Sequence, residues 1–131
     1  MTRIHLLDRR IGETHPTLAD AAALAAFESV PYEERIAAAS TYEALRLGAA
    51  HDPQAPAIQF LANASAEDTP VVISHAQFLG RVTQTANLFH SLGVGPDDVV
   101  SFLLPLIPQA LFTLFGAQAA GIVNPVNPLL E

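Results

Sequence analysis

The sequence predicts an α/β fold, a layered and partly parallel sheet flanked by helices. Three observations predict it. Helix-period and strand-period segments alternate through the second half of the chain in the order helix, strand, helix, strand. The segment VVSFLLP (99–105) opens on two β-branched valines and is largely apolar, the pattern of a strand buried on both faces of a parallel sheet. The 131 residues are 50% hydrophobic and 15% charged, which suits one packed core and argues against disorder.

The elements follow in chain order. HPTLADAAALAAFES (15–29) reads as a helix. Thr17 is its expected N-cap, with Asp20 in the first turn, where the helix dipole favours a carboxylate. Leu18, Ala21, Ala22, Leu24 and Ala25 give it a small apolar face, and Pro31 interrupts it. Residues 1–40 thus read as an N-terminal helical extension and 41–131 as the α/β portion. STYEALRLGAAHDP (40–53) is a second helix. Ser40 and Glu43 make an S-x-x-E capping box, and Tyr42, Leu45 and Ala49 share a stripe. The two prolines of HDPQAP enforce a loop. AIQFLA (57–62) alternates weakly and VVIS (71–74) is apolar; joined by the polar NASAEDTP, they predict an antiparallel hairpin.

SHAQFLGRVTQTANLFHSLG (74–93) is the clearest helix. Ser74 and Gln77 form a capping box. Phe78, Leu79, Val82, Ala86, Phe89 and Leu92 recur at three and four and predict one buried face, with His75, Arg81, Gln84 and Asn87 outward. PQALFTLFGAQAAG (108–121) is apolar nearly all round, hence a buried helix, and IVNPV (122–126) is the next strand. No charged residue lies between Val99 and Leu130. Pro105, Pro108, Gln109, Gln118, Asn124 and Asn127 interrupt that stretch, so it reads as a buried strand–helix–strand and not a membrane span.

Composition excludes several functions. The chain has no cysteine, which removes disulfides, zinc thiolates and thiol catalysis. The net charge is −7 and all six basic residues are arginines, with no basic stripe for nucleic acid. Without lysine there is no Schiff base and no Walker-type phosphate lysine. The N-terminus lacks the apolar core of a signal peptide, and the cytoplasm is the expected location.

SLGVGPDDVV (91–100) invites a phosphate-binding reading. A phosphate cradle places glycines after a strand and before a helix. Here Gly93 follows a helix and Val99 begins a strand, so Gly93 reads as the left-handed residue that ends the helix. Gly95-Pro96 makes the turn, and Asp98 stands where a dinucleotide fingerprint needs its third glycine. Asp97 and Asp98 precede their strand, whereas acidic pockets gather at the C-terminal ends of strands; they read as a solvated turn. His5, His15, His51, His75 and His90 have no ligand spacing, and no G-x-S-x-G elbow occurs. No catalytic, cofactor-binding or metal-ligating residue is assigned.

The order of segments resembles the adenylate-forming, AMP-binding acyl-CoA synthetase superfamily. TYEALRLGAAHDPQAPAIQF looks like the opening helix and first strand. In residues 73–128 the resemblance is closer: Ala86-Asn87-Leu88-Phe89, Leu92-Gly93-Val94 through Asp98-Val99-Val100, Leu104-Pro105, Pro108, Ala120-Gly121 and Pro125-Val126-Asn127-Pro128 fall in register with the family pattern. Asp97 stands where the family has glycine, and Leu106 where it has asparagine. Each motif is scaffold; the ordered series carries the likeness over residues 41–131.

The resemblance implies a longer parent enzyme that activates a carboxylate with ATP and passes the acyl group to CoA. Such chemistry implies a Ser/Thr/Gly-rich loop with a lysine for the phosphates, Mg²⁺, and a further lysine for adenylation, all beyond Glu131. The expectation is therefore an N-terminal segment of an acyl-CoA ligase, inactive alone and without cofactor, with ATP, Mg²⁺ and CoA serving the parent. The long extension and GIVNPVNPLLE point to a fatty-acyl-CoA ligase. Its expected partners are the remainder of the parent chain and a second copy of itself, with peripheral membrane contact left open for the parent. Three alternatives stand beside this: a stand-alone interaction or regulatory α/β domain, a membrane-associated protein, and another adenylating enzyme such as an aryl-CoA ligase, a peptide-synthetase adenylation domain or a luciferase-like enzyme.

Overall fold

The computed structural model describes residues 20–31, 38–63, 65 and 67–127. Within them the order is α1 (Ala21–Glu28), α2 (Thr41–His51), β1 (Pro56–Phe60), β2 (Val71–Ser74), α3 (His75–Ser91), β3 (Val99–Phe102), α4 (Pro108–Ala120) and β4 (Ile122–Pro125).

The cap of α1 differs from expectation. Asp20, not Thr17, takes the N-cap: its backbone is extended and its carboxylate accepts from the Ala23 N–H at 2.7 Å. Both residue types cap well, and the one whose oxygen reaches the third helical N–H wins. Thr17 and Leu18 lie outside the described residues. None of α1 is buried.

Ser40 caps α2 as expected, accepting from Glu43 N–H at 3.1 Å, but the Glu43 carboxylate reaches back to Ala39 N–H at 2.8 Å, one residue before the cap. The hairpin pairs antiparallel, with Ile58 opposite Ile73 and Phe60 opposite Val71. Between Pro56 and Ile58 the register shifts by one residue, so Ala57 is an insertion. That bulge puts Ala57 and Ile58 both partly inward and accounts for the weak alternation of β1.

β2 runs straight into α3. Ser74 accepts from Gln77 N–H at 3.3 Å while the Gln77 side chain accepts from Ser74 N–H at 2.9 Å, the expected capping box. Two further N–H groups at this helix start go to the preceding loop: His75 N–H to the Ala55 carbonyl and Ala76 N–H to that of Pro53, both at 3.0 Å. The proline loop thereby supplies acceptors that a helix start lacks.

The core lies where α3 packs on α4. Val82 is fully buried, with Phe78 and Ala86 beside it, facing Ala110, Ala117 and Ala120. Fully burying a valine contributes roughly 1.5–3 kcal/mol. The Phe78 ring lies 5.9 Å from Phe112 and 5.7 Å from Phe115, edge-on to the latter. Leu92, expected in this face, is 70% exposed because it is the C-cap, where the chain has left the helix.

The sheet is partly parallel, as the sequence implies, but divided. β1 and β2 form one two-stranded antiparallel sheet, and β3 and β4 a separate parallel pair, Val99 opposite Ile122 through Phe102 opposite Pro125. A single doubly wound sheet is not formed among the described residues. β3 is also not buried on both faces. Val100 and Phe102 are partly covered, whereas Val99 is 58% exposed and, just past the strand, Leu103 is 61% exposed. The crossover helix α4 contacts β4, and one alternating set of the pair, Val99, Ser101, Ile122 and Asn124, is exposed.

Candidate functional site

The 92–98 segment is built as a stop and a turn. Gly93 has φ of 89°, the left-handed region that glycine enters without a Cβ penalty. Its N–H donates to the His90 carbonyl and the Val94 N–H to that of Phe89, both at 3.0 Å. These are the two bonds of a Schellman motif, which satisfy the last carbonyls of α3. Asp98 N–H then donates to the Gly95 carbonyl at 3.1 Å, and the Asp98 carboxylate accepts from Gly95 N–H at 2.8 Å. Asp98 is spent on its own turn. This is the geometry of a helix stop followed by a turn, the arrangement the order helix, glycine, strand implies.

The turn is locked to the start of β4. A Cβ on Gly121 would stand 2.5 Å from the Gly95 carbonyl oxygen and 2.7 Å from that of Asp98. Ile122 N–H donates to the Asp98 carbonyl at 2.9 Å. Gly121 thus lets the start of β4 close onto the 95–98 turn, while Gly93 serves only to end α3.

The histidines do not converge. His51 and His90 sit in the last turns of α2 and α3, and His75 at the first position of α3. His90 Nδ1 lies 3.1 Å from the Val94 carbonyl oxygen and braces the same turn. His5 and His15 lie outside the described residues. Among the described residues no group of three or more His, Asp or Glu could hold a metal ion. No lysine exists to meet a phosphate.

Two open grooves flank α3. One, of about 600 Å³, is largely polar, with Ser40, Tyr42, Thr83, Asn87, His90 and Gln118 among its lining. Thr83 donates to the Leu79 carbonyl at 2.8 Å, so Tyr42 is the donor in its 2.8 Å bond to Thr83 Oγ1. The other groove, of about 630 Å³, runs between the hairpin and the N-terminal end of α4 and has mostly apolar walls. Sequence reading found neither groove, because each is assembled from segments far apart in the chain. No described helix is long and apolar enough to cross a membrane.

Known proteins share this arrangement. Residues 45–131 match the family model described as AMP-binding enzyme. The marinolic acid–CoA ligase of Pseudoalteromonas sp. (strain SANK 73390) is 41% identical over 103 residues, which cover 79% of this chain and 16% of that protein. The acetyl-coenzyme A synthetase 1 of Debaryomyces hansenii is 33% identical over 87 residues, 66% of this chain and 13% of that protein. In solved structures, the fatty acid AMP ligase from Legionella pneumophila superposes with a TM-score of 0.60 at 21% identity, over 69% of this chain and 15% of that one. IdnL1 superposes with a TM-score of 0.59 at 24% identity, over 79% and 19%. The chain thus spans less than a fifth of the length of these proteins. The match to the family model covers more than half the chain: it belongs to the AMP-binding enzyme family.

Proposed function

We propose that this chain is the N-terminal scaffold of an ATP-dependent acyl-CoA ligase. The whole enzyme joins a carboxylate to AMP with release of pyrophosphate, then passes the acyl group to the CoA thiol. The observation that carries this reading is the family match over residues 45–131 in a chain without a single lysine. The fold is that of an adenylating enzyme, and the groups that would hold phosphates are absent from it. The 131 residues alone are inactive, and ATP, Mg²⁺ and CoA are engaged by the rest of the protein.

A fatty-acyl substrate is the preferred reading. The long segment before residue 40 and the GIVNPVNPLLE run support it. The acetyl-coenzyme A synthetases among the relatives favour a short acid instead.

The coding sequence past Glu131 tests the core of the proposal. An open frame of several hundred codons with a lysine-bearing Ser/Thr/Gly-rich loop is the expected result; an immediate stop codon overturns it. ATP–pyrophosphate exchange by the full-length product, over acids from acetate to stearate, then reads the substrate. Exchange with long acids and not acetate is expected, and the reverse preference removes the fatty-acyl assignment. The 131-residue chain is expected to give no exchange with any acid.

A further inference from the structure

The apolar groove beside α3 carries one inference beyond the fold. Its walls are Phe60, Val71, Val72, Ile107 and Phe112, and Arg81 stands in its lining. Val71 and Val72 remain 54% and 51% exposed on a strand whose partner β1 covers only one edge. No acidic side chain lines the groove.

Arg81 is the second observation. Arg46 lies 3.6 Å from Glu43, one turn away on its own helix. Arg81 donates to the neutral Gln84 side chain at 3.1 Å and has no carboxylate within ion-pair distance among the described residues. This holds in a chain of net charge −7, where carboxylates outnumber arginines. A fixed cation beside an apolar wall selects an apolar strip that brings its own carboxylate.

The length of the relatives says where that strip comes from. The family match runs to residue 131, and the chain covers 16% and 13% of two CoA-ligase relatives. Most of such a protein lies outside these residues. We propose that the groove seats a segment of the chain following residue 131, apolar along its buried side and carrying an Asp or Glu that pairs with Arg81. This rests on the ligase reading above, and the charge requirement goes beyond it.

Amide hydrogen exchange tests it, comparing the full-length protein with the 131-residue chain at residues 70–82 and 105–113. Exchange in the full-length protein should be slower by about tenfold or more, since a seated segment must open before these amides meet water. That protection should be independent of protein concentration. Arg81→Glu in the full-length protein should return exchange toward the rate of the 131-residue chain, while Arg81→Lys keeps the protection. Equal exchange in the two chains overturns the proposal. So does full protection in Arg81→Glu, or protection of the short chain that grows with concentration, which assigns the groove to a second copy. Pyrophosphate exchange on the same full-length sample separates the two readings. Adenylation with a freely exchanging groove sinks only the docking. A protected, Arg81-dependent groove without adenylation sinks only the ligase.

Discussion

Gly116 has no room for a methyl group. An added Cβ would stand 2.6 Å from Thr85 Cβ and 3.1 Å from the Ala86 nitrogen, because α3 and α4 cross there with their backbones close. Gly80, on the same helix as Thr85, has nothing within 4 Å of an added Cβ. The two sites make opposite predictions from one chemical change. Gly116→Ala should destabilise by roughly 1–3 kcal/mol through overpacking. Gly80→Ala should stabilise by about 0.5–1 kcal/mol, since alanine gains helix propensity without contact. Urea midpoints of the two variants check both; equal shifts would deny that the crossing is tight. Asp68 supports a pH prediction at the same scale. The Asn63 side-chain amide donates to its carboxylate at 3.0 Å and the Asn63 N–H at 2.6 Å, and these bonds hold Asp68 below its ordinary value of 3.8. A carboxyl depressed in the fold stabilises fully above its unfolded value and loses that contribution as pH falls through the folded one. Asn63→Ala should therefore raise the Asp68 titration toward 3.8 in a carboxyl NMR titration, and an unmoved curve rejects the clasp.

At the scale of elements, α3 holds the segment together. It carries the capping box, receives two carbonyls from the proline loop, pairs Thr83 with Tyr42 and ends in the Schellman turn. Ser74→Ala removes the cap and should cost about 0.5–2 kcal/mol, measured as a fall in urea midpoint. Tyr42→Phe removes one hydroxyl bond between α2 and α3 and should cost about 0.5–1.5 kcal/mol. These features differ in how far the sequence announces them. The Ser74–Gln77 box and Gly93 are legible because their physics is local, confined to residues within a few positions of each other. The weak alternation of β1 is legible only after its bulge is known, since one inserted residue shifts the inward set by one. The cap of α1 is missed because Thr17 and Asp20 are both good cap residues and sequence alone does not say where the first turn closes. The division into two sheets is not legible at all: which strands share hydrogen bonds is decided by long-range pairing. The same holds for Gly116 and Gly121, whose necessity comes from backbone on another segment.

At the scale of the whole molecule, the outer face of the β3–β4 pair decides the solution behaviour of the chain. Val99 and Ile122 stand opposite each other there, 58% and 50% exposed, with Leu103 and Val126 beyond them. Between these apolar rows the Asn124 amide donates to Ser101 Oγ at 3.0 Å across the strands. A polar pair bonded to itself can be covered at little desolvation cost, so the face is suited to burial. Contiguous apolar surface of this kind on a lone chain drives association. Each strand of the pair also has one edge without a described partner, which favours edge-to-edge addition. The 131-residue chain should therefore self-associate at roughly tens of micromolar, the range where exposed apolar surface and open edges begin to aggregate. Sedimentation velocity should show species heavier than the 13.9 kDa monomer, shifting toward monomer when Val99→Glu and Ile122→Glu place like charges on facing positions. A clean monomer for the unmodified chain at that concentration would mean that the face is already covered, and the assignment of this surface to burial would fall with it.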